Sequence, residues 1–413
     1  MTQMIFASKN GRDIPKEDKI FGISNRAKAR LALEGKEKVV NATIGALLDD
    51  EGNLIVLSSV NDVFKTLDMT EYAEYAPIAG TAGFREAVKK DVFRKFVPKS
   101  YTEVVATPGG TGALKNAISN YSEVGDTILV ADWFWAPYKT IAQEQGRKLE
   151  TFRLFNENNT FDCEAFDNKV HEILNNQDNL VIILNTPAHN PTGYAFDKED
   201  WKSISEVLKK ADDSKKITLV IDAAYVDFAG DEDESRLFLP LVEELPDNVL
   251  PVIAHSLSKS YTLYGMRCGA LVCMAKTKEI ADEFKSVCEF SSRGSWSNCA
   301  RAPQVILEKI YNDPDLLKKV MDERKGYRDM LLKRGKAFKQ AADEIGLEMV
   351  PFRGGFFAAV PCDNPDEVSA ELEKAGIFTV PLAKGVRVSL ASISEDKSRM
   401  LPAEIKKAMD NLK

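Results

Sequence analysis

Histidine is scarce in this sequence, with three copies in 413 residues, at positions 171, 189 and 255. No two of them stand at the His-x-x-x-His spacing that presents two metal ligands on one helix face. The six cysteines include no Cys-x-x-Cys pair and lie in apolar stretches, which indicates reduced and mostly buried thiols. We therefore predict neither a metal site nor a disulfide framework.

Long apolar runs and an excess of positive charge are also missing. No stretch approaches the roughly 20 apolar residues of a membrane-spanning helix, and residues 1–10 lack the basic and then apolar layout of a secretory signal. We expect a cytoplasmic protein that does not bind membranes. The 55 Lys and Arg residues against 63 Asp and Glu residues leave a formal charge of −8, which opposes binding to nucleic acid.

Short runs rich in Val and Ile alternate with amphipathic stretches between about residues 100 and 310. This alternation predicts an α/β fold with a mostly parallel sheet, buried on both faces and covered by helices on both sides. The predicted strands are 127–133, 180–186, 217–223, 249–255 and 269–274, and the predicted helices include 112–121 and 200–211. We assign residues 50–312 to this large domain.

The pattern changes after about residue 312. Residues 315–345 are heavily charged with apolar residues at helical spacing, which predicts a long exposed connecting helix broken at Gly335. A smaller α+β domain follows. Its predicted strands are 347–351, 356–361 and 386–390, and its predicted helices are 365–375 and 402–412.

The segment VIAHSLSKSYTLYGMRCG, residues 252–269, places Lys259 directly after an apolar strand and among serines. Burial disfavours an ammonium group, so a buried lysine there would have a neutral amine able to form a Schiff base with an aldehyde. Eight residues further on, Arg267 could bind a phosphate through two parallel hydrogen bonds. The alternative is a loop lysine and a surface arginine.

The segment TLVIDAAY, residues 218–225, ends a hydrophobic strand with Asp222 and continues to Tyr225. In an open α/β sheet, ligands bind beyond the carboxyl ends of the strands, where this carboxylate lies. There it could keep a pyridine nitrogen protonated, while the tyrosine could hydrogen-bond a phenolic oxygen of the same ring. The alternative is that Asp222 caps the N-terminus of a helix.

Three further segments are weaker signals when each is taken alone. TPGGTGAL, residues 107–114, runs into a helix and could bind an anion through free backbone N–H groups, or it could be a plain turn. NTPAHNPTG, residues 185–193, is stiff and could aim Asn190 at a ligand oxygen, or it could be a proline-rich turn. Trp135 could stack on a ring or pack in the core.

In this order and spacing, these segments together resemble the class I aminotransferases of the fold-type I pyridoxal phosphate family, above all the aspartate and aromatic aminotransferases. The resemblance runs from residues 41–52 and 75–87 to Arg387 in the segment GVRVSL. It implies Lys259 as the Schiff-base lysine, Asp222 as the partner of the pyridine nitrogen, and Arg387 as the clamp on the substrate's α-carboxylate. It further implies phosphate contacts from Gly110, Thr111, Ser256, Ser258 and Arg267, phenolic-oxygen contacts from Tyr225 and Asn190, ring stacking by Trp135, and closure of the backbone near Gly45 on the carboxylate.

The resemblance also implies a homodimer with shared active sites, in which Tyr75 reaches the phosphate bound by the neighbouring subunit. Residues 1–49 would pack with residues 313–413 as the small domain. The implied reaction moves an amino group from an L-amino acid to a 2-oxo acid, typically 2-oxoglutarate. The same scaffold also supports β-lyases and decarboxylases, and a non-catalytic regulatory relative is a further alternative.

Two departures from the family pattern concern the substrate and the phosphate. The second arginine, which holds a distal carboxylate in aspartate aminotransferases, would fall near Val287 or Cys288, and Arg293 lies several residues away. Either Arg293 replaces that arginine or the distal group of the substrate is not an acid, and we favour the second. Gly109 stands where aspartate aminotransferases often have a serine, which removes one hydroxyl from the phosphate site.

Overall fold

A computed structural model describes residues 6–8 and 12–413 of the chain. The α-helices are α1 (Lys19–Glu34), α2 (Ser58–Lys65), α3 (Met69–Ala73), α4 (Ala82–Phe93), α5 (Gly109–Asn120), α6 (Pro137–Glu144), α7 (Cys163–Leu174), α8 (Lys198–Lys209), α9 (Glu232–Ser235), α10 (Leu239–Glu243), α11 (Leu257–Ser260), α12 (Lys278–Ser295), α13 (Ala302–Asn312), α14 (Pro314–Glu344), α15 (Pro365–Lys374) and α16 (Glu395–Asp410). The strands are β1 (Val40–Asn41), β2 (Tyr101–Thr107), β3 (Thr127–Ala131), β4 (Lys148–Phe152), β5 (Asn179–Asn185), β6 (Lys216–Asp222), β7 (Val249–Ser256), β8 (Gly269–Ala275), β9 (Phe357–Pro361), β10 (Ile377–Phe378), β11 (Val380–Pro381) and β12 (Gly385–Ser389).

The main sheet has seven strands in the order β2-β8-β7-β6-β5-β3-β4. The strands from β7 to β4 pair in parallel, whereas β8 runs antiparallel to both of its neighbours. The sheet is therefore mostly parallel, as the sequence predicts. The edge strands β2 and β4 were not anticipated, because their partly exposed residues lack the uniform apolar run of a strand buried on both faces.

Both faces of the main sheet are buried. On β6, Leu219 and Ile221 pack into one hydrophobic cluster, whereas Val220 between them packs into another on the opposite face. Successive side chains of a strand point to opposite faces, so this division places a core on each side of the sheet. The predicted α/β class with helices on both faces is confirmed.

The smaller sheets lie in the C-terminal third and include one strand from the N-terminal part. Strand β12 pairs antiparallel with β9 and β11, and β1 pairs in parallel with β10 through Val40 opposite Ile377. Side chains of α14, α15 and α16 pack with these strands in a cluster that includes Phe338, Leu372 and Leu401. The division of the chain into domains at residues 49/50 and 312/313 stays a prediction.

Helix α14 runs unbroken from Pro314 to Glu344, so the predicted break at Gly335 is wrong. A Cβ atom at this glycine would lie 2.4 Å from Cζ of Phe352, which means that the absent side chain makes room for a neighbouring ring. The helix is also less exposed than predicted, because it buries Val320, Leu331 and Phe338.

Two further predictions for the C-terminal third are wrong. Residues 347–351 do not form a strand, although the Val350 amide donates to the Ala359 carbonyl at 3.3 Å. Helix α16 begins at Glu395 rather than at residue 402, because Ser394 caps it by accepting from the Lys397 amide, and Pro402 lies inside the helix. Proline is most often found in the first turn of a helix, so the predicted start of this helix was placed at Pro402, seven residues too late.

No helix in the described part of the chain is long and apolar enough to cross a membrane.

Candidate active site

The carboxyl ends of three neighbouring strands bring the predicted polar residues together. Asn185, the last residue of β5, lies in register with Asp222, the last residue of β6, and Asp222 lies beside Ala254 of β7. Strand β7 then ends at Ser256, and α11 follows at once with Lys259 in its last turn. The order of parallel strands thus assembles residues from distant segments at one edge of the sheet.

A cavity of about 460 Å³ opens at this edge. Its volume suits a small-molecule ligand. Twelve of the predicted site residues line it: Gly45, Gly110, Thr111, Trp135, Asn190, Asp222, Tyr225, Ser256, Ser258, Lys259, Arg267 and Arg387. Tyr75 lies outside this cavity in the described chain, and its side chain is 88% exposed.

The amine of Lys259 lies inside the cavity, where its Nζ donates to the Gly45 carbonyl oxygen at 2.9 Å. It also lies 4.7 Å from the ring centre of Tyr264. Burial, together with the positive charges of Arg267 and Arg387, lowers the pKa of Lys259 to about 7. A large fraction of this amine is therefore neutral near pH 7, which makes it a nucleophile and a base.

Asp222 is buried, and its carboxylate accepts two hydrogen bonds. The Tyr138 hydroxyl donates to Oδ2 at 2.5 Å and the Ala224 amide donates to Oδ1 at 3.3 Å. Burial raises the pKa of Asp222, and these donors oppose the rise. The alternative of an N-cap is wrong, because the element that follows is a short 3₁₀ turn, Val226–Phe228, with Tyr225 at its N-cap.

Asn190 forms hydrogen bonds to a tyrosine and an arginine that also line the cavity. Its Nδ2 donates to the Tyr225 hydroxyl at 3.4 Å, and its Oδ1 accepts from Nη1 of Arg387 at 3.1 Å. The Asn190 amide donates to Oδ1 of Asn185 at 2.5 Å, which holds the proline-rich segment to the end of β5. The alternative of a simple turn therefore does not describe this segment.

Arg387 is buried, and its guanidinium has spare hydrogen-bonding capacity. Its Nη2 donates to the Thr43 carbonyl oxygen at 2.6 Å, and the group lies 4.4 Å from the ring centre of Phe357. Its Nε is buried and has no hydrogen-bond partner. Burial lowers the pKa of Arg387 to about 10, so the group is still charged near neutral pH. A buried cation with an unused donor is suited to binding a carboxylate.

A second group of hydrogen-bond donors lies around Arg267. Its Nη1 donates to Ser258 Oγ at 3.0 Å, and the N-terminus of α5 with Gly110 and Thr111 borders the same cavity. Arg267 has a left-handed backbone with φ of 50°, which is uncommon outside glycine and often marks a functional site. Free backbone N–H groups and the helix dipole at the start of α5 favour a phosphate there.

The structure explains why residue 109 is a glycine. Its φ is +71°, and a Cβ atom added to it would lie 2.7 Å from Nη2 of Arg267. The arginine therefore occupies the space that a side chain at this position would need. The absence of a serine hydroxyl at position 109 is therefore linked to the close approach of Arg267.

Sequence reasoning missed several cavity residues. Tyr138 contacts Asp222, and Tyr264 contacts Lys259. Both tyrosines lie close in sequence to predicted site residues, and this proximity is the signal that could have identified them. Ile20 and Phe21 of α1 also line the cavity. Nothing in the sequence near α1 signals this contact, because it depends on how the N-terminal helix packs.

Arg293 and Cys288 lie outside the described cavity lining. Arg293 is near the end of α12, where its Nη1 donates to Ser297 Oγ at 2.5 Å in an exposed position. Cys288 is buried on the same helix, and its sulfur accepts from Nδ2 of Asn120 at 3.7 Å. Within the described chain, neither residue is placed to contact a substrate in the cavity.

Comparison with known proteins places this geometry in context. The family model described as "Aminotransferase class I and II" matches residues 37–405. An aminotransferase structure from Anaerococcus prevotii DSM 20548 is 38% identical, with a TM-score of 0.95 over 98% of this chain and 100% of that one. The mitochondrial aspartate aminotransferase of Gallus gallus is 25% identical, covering 91% of this chain and 88% of that protein. The aromatic-amino-acid aminotransferase of Burkholderia pseudomallei, solved covalently bound to pyridoxal phosphate, has the same fold at 20% identity, with a TM-score of 0.80 over 98% of this chain and 100% of that one.

Proposed function

Since this chain belongs to the class I and II aminotransferases and depends on pyridoxal phosphate, we propose that Lys259 is the residue that bonds the cofactor's aldehyde while the enzyme transfers amino groups. The observation that carries this assignment is the position of the Lys259 amine. It is enclosed, with its pKa lowered to about 7, in the cavity that also contains Asp222, Arg267 and Arg387. The donor is an L-amino acid and the acceptor a 2-oxo acid, for which we propose 2-oxoglutarate.

The residues of the cavity fit this cofactor. The lining contains two arginines, Arg267 and Arg387, and the amine of Lys259, whose pKa is lowered to about 7, together with two carboxylates, Asp18 and Asp222. The hydrogen-bond donors around Arg267 favour an anionic ligand at that end. Arg267 and Ser258, together with Ser256 and the start of α5, would hold the phosphate. Asp222 would face the pyridine nitrogen, Tyr225 and Asn190 the phenolic oxygen, and Trp135 the ring face.

Bound pyridoxal phosphate supplies an electron-accepting ring that makes the α-proton of an attached amino acid acidic. Lys259 then acts as general base and acid, because an amine with a pKa near 7 both accepts and returns a proton at neutral pH. Asp222 keeps a negative charge beside the ring nitrogen. We assign these proton transfers to Lys259, since no other amine lies in the described cavity lining.

Arg387 binds the α-carboxylate of the substrate in this proposal. Its unpartnered Nε and its Nη2, which donates one hydrogen bond to the Thr43 carbonyl oxygen, lie on one edge of the guanidinium and would form the two parallel hydrogen bonds that a carboxylate accepts. Because the group orients the substrate and takes no part in bond making, its contribution is mainly to affinity. The backbone at Gly45, beside Lys259 Nζ, would close on the same carboxylate.

We also propose that the distal group of the donor is not an acid. The cavity lining includes the apolar residues Ile20, Phe21 and Leu54, and Arg293 lies outside the lining of this subunit. An uncharged side chain would be buried there without an unpaired charge.

A homodimer is part of the proposal, because Tyr75 is exposed and outside the cavity of its own subunit. It can contact a phosphate only in a neighbouring copy.

All six cysteines are free thiols, which supports the proposed cytoplasmic location, where thiols stay reduced.

The assignment of Lys259 is tested by Lys259→Ala, with Lys397→Ala as the matched control. Lys397 is also partly buried with a lowered pKa, but it lies on α16 and donates to the Lys36 carbonyl oxygen. We expect the wild type and the control to be yellow, to lose this absorbance band on adding an amino acid, and to regain it with 2-oxoglutarate. Lys259→Ala should show no turnover, and more than a trace of activity in it would refute the assignment.

The same assay separates the alternative reactions. Continuous release of ammonia and pyruvate without a second substrate would identify a β-lyase, and release of carbon dioxide would identify a decarboxylase. Comparing aspartate, glutamate, phenylalanine, tyrosine, alanine and leucine as donors tests the distal group. A strong preference for aspartate that disappears in Arg293→Ala would overturn our proposal of an uncharged side chain.

A further inference from the structure

Tyr138 is a fully buried residue of α6 that contacts two of the proposed cofactor-binding residues at once. Its hydroxyl donates to Oδ2 of Asp222 at 2.5 Å, although the two residues lie 84 positions apart in the chain. Its ring packs edge-on against Trp135, with ring centres 5.5 Å apart and an interplanar angle of 85°. One side chain therefore connects the residue facing the pyridine nitrogen with the residue facing the ring.

The surroundings of Asp222 show why a donor is needed there. Desolvation favours the neutral carboxyl, so burial alone would reduce the negative charge at this position. Besides Tyr138, the titratable groups near it are Lys259 from α11, whose charge favours the anion, and Tyr225. Burial and the neighbouring carboxylate raise the pKa of Tyr138 well above its usual value, so the phenol remains a hydrogen-bond donor at any working pH.

We propose that Tyr138 is a positioning residue, whose hydroxyl holds the Asp222 carboxylate charged and aimed at the cofactor's pyridine nitrogen while its ring supports Trp135. This inference rests on the proposed function, because it needs Asp222 to face that nitrogen. It adds a residue of helix α6, three positions after Trp135, that the sequence analysis did not identify.

The test compares Tyr138→Phe with Tyr121→Phe in the holoenzyme. Tyr121 packs against the same hydrophobic cluster, and its hydroxyl is buried without a partner, so its removal takes away no bond to a carboxylate. A hydrogen bond to a charged group is among the stronger ones in a protein. We expect kcat to fall about tenfold or more in Tyr138→Phe, with the KM for the amino donor nearly unchanged and with wild-type kinetics in Tyr121→Phe.

Two pH readouts separate positioning from a merely structural role. Without its donor, Asp222 would take up a proton more readily, and the ring nitrogen would then lose its own proton at a lower pH. The alkaline limb of kcat should therefore shift down by about one pH unit. The nitrogen resonance of bound ¹⁵N-labelled cofactor should titrate with the same shift, a measurement that does not depend on turnover.

A second substitution keeps the test decisive if Tyr138→Phe fails to fold. Tyr138→His retains a ring with an N–H donor, and it should recover most of kcat and the wild-type ¹⁵N titration. Wild-type kinetics and titration in a folded Tyr138→Phe, or no recovery in a folded Tyr138→His, would overturn the inference. Failure of the proposed function looks different, since the wild type itself would then fail to bond the cofactor through Lys259.

Discussion

Lys259 acquires its proposed reactivity from neighbours rather than from its own chemistry. An exposed lysine has a pKa near 10.5, and enclosure in the cavity with two arginines nearby lowers that of Lys259 to about 7. The carboxylate of Asp222 acts in the opposite direction but does not cancel the effect of burial. Residue type, burial and charge together define the function of this amine.

The capture of pyridoxal phosphate by the cofactor-free protein should therefore depend on pH. Only the neutral amine attacks an aldehyde, so the initial rate should rise between pH 6 and pH 8 with a midpoint near 7, the pKa of Lys259. The measurement is the amount of cofactor fixed to the protein by borohydride reduction at short times. A rate that rises only above pH 9 would show that the amine has an ordinary pKa.

Arg387 should contribute to substrate affinity more than to turnover. Replacing it with Ala removes the buried cation that would donate two hydrogen bonds to the α-carboxylate in the proposed function. We expect Arg387→Ala to raise the KM for the amino donor about 100-fold, since bonds to charged groups contribute roughly 1.5–3 kcal/mol each. Steady-state kinetics with one donor would measure this change, and a large fall in kcat at unchanged KM would contradict it.

At the level of the secondary-structure elements, the long helix α14 contains two glycines in different surroundings. Gly335 packs against the ring of Phe352, whereas a Cβ atom at Gly326 would meet no atom within 4 Å. Intrinsic helix propensity favours alanine over glycine to the same extent at both positions. Packing distinguishes them, because only one has room for an additional methyl group.

We therefore expect opposite effects from two alanine substitutions in α14. Gly326→Ala should stabilise the protein by up to about 1 kcal/mol, because alanine is the better helix former. Gly335→Ala should destabilise it by about 1–3 kcal/mol, because its methyl group would overlap the Phe352 ring. Urea unfolding monitored by circular dichroism tests both, and equal stabilisation by the two substitutions would contradict the packing argument.

At the level of the whole molecule, the proposed active site is incomplete in one subunit. Tyr75 is 88% exposed, and exposed apolar side chains lie near it in sequence, among them Met69 and Tyr72. Apolar groups exposed together are typical of a surface that another protein covers. In the proposed dimer, a second copy of the chain covers this surface and brings Tyr75 to the phosphate.

The proposed dimer predicts a selective effect of Tyr75→Phe. The hydroxyl should contribute to phosphate binding across the interface, so the affinity for pyridoxal phosphate should fall about tenfold while the dimer persists. Tyr72→Phe is the control, since it removes a neighbouring exposed hydroxyl. Light scattering after gel filtration and cofactor titration measure the two quantities, and an active monomer would contradict the arrangement.

The apolar runs of β3, β5, β6 and β7 were sufficient to predict an α/β fold, because strands buried on both faces must be continuously hydrophobic. The segments that contain Asn190, Asp222, Lys259 and Arg387, taken together with the others, resemble the class I aminotransferases, and the comparisons confirm this family. These features are local, and each can be recognised within a short stretch of sequence.

The tertiary structure alone decided the features that depend on contacts between distant segments. The hydrogen bond from Tyr138 to Asp222, the contact of α1 with the cavity and the space beside Gly335 each join residues that no local pattern connects. The glycine at position 109 is a further example. The sequence shows that no serine stands there, and only the structure shows that Arg267 lies where the side chain would be. Propensity and periodicity describe a residue in relation to its near neighbours in the chain, whereas burial and pKa depend on every group that surrounds it after folding.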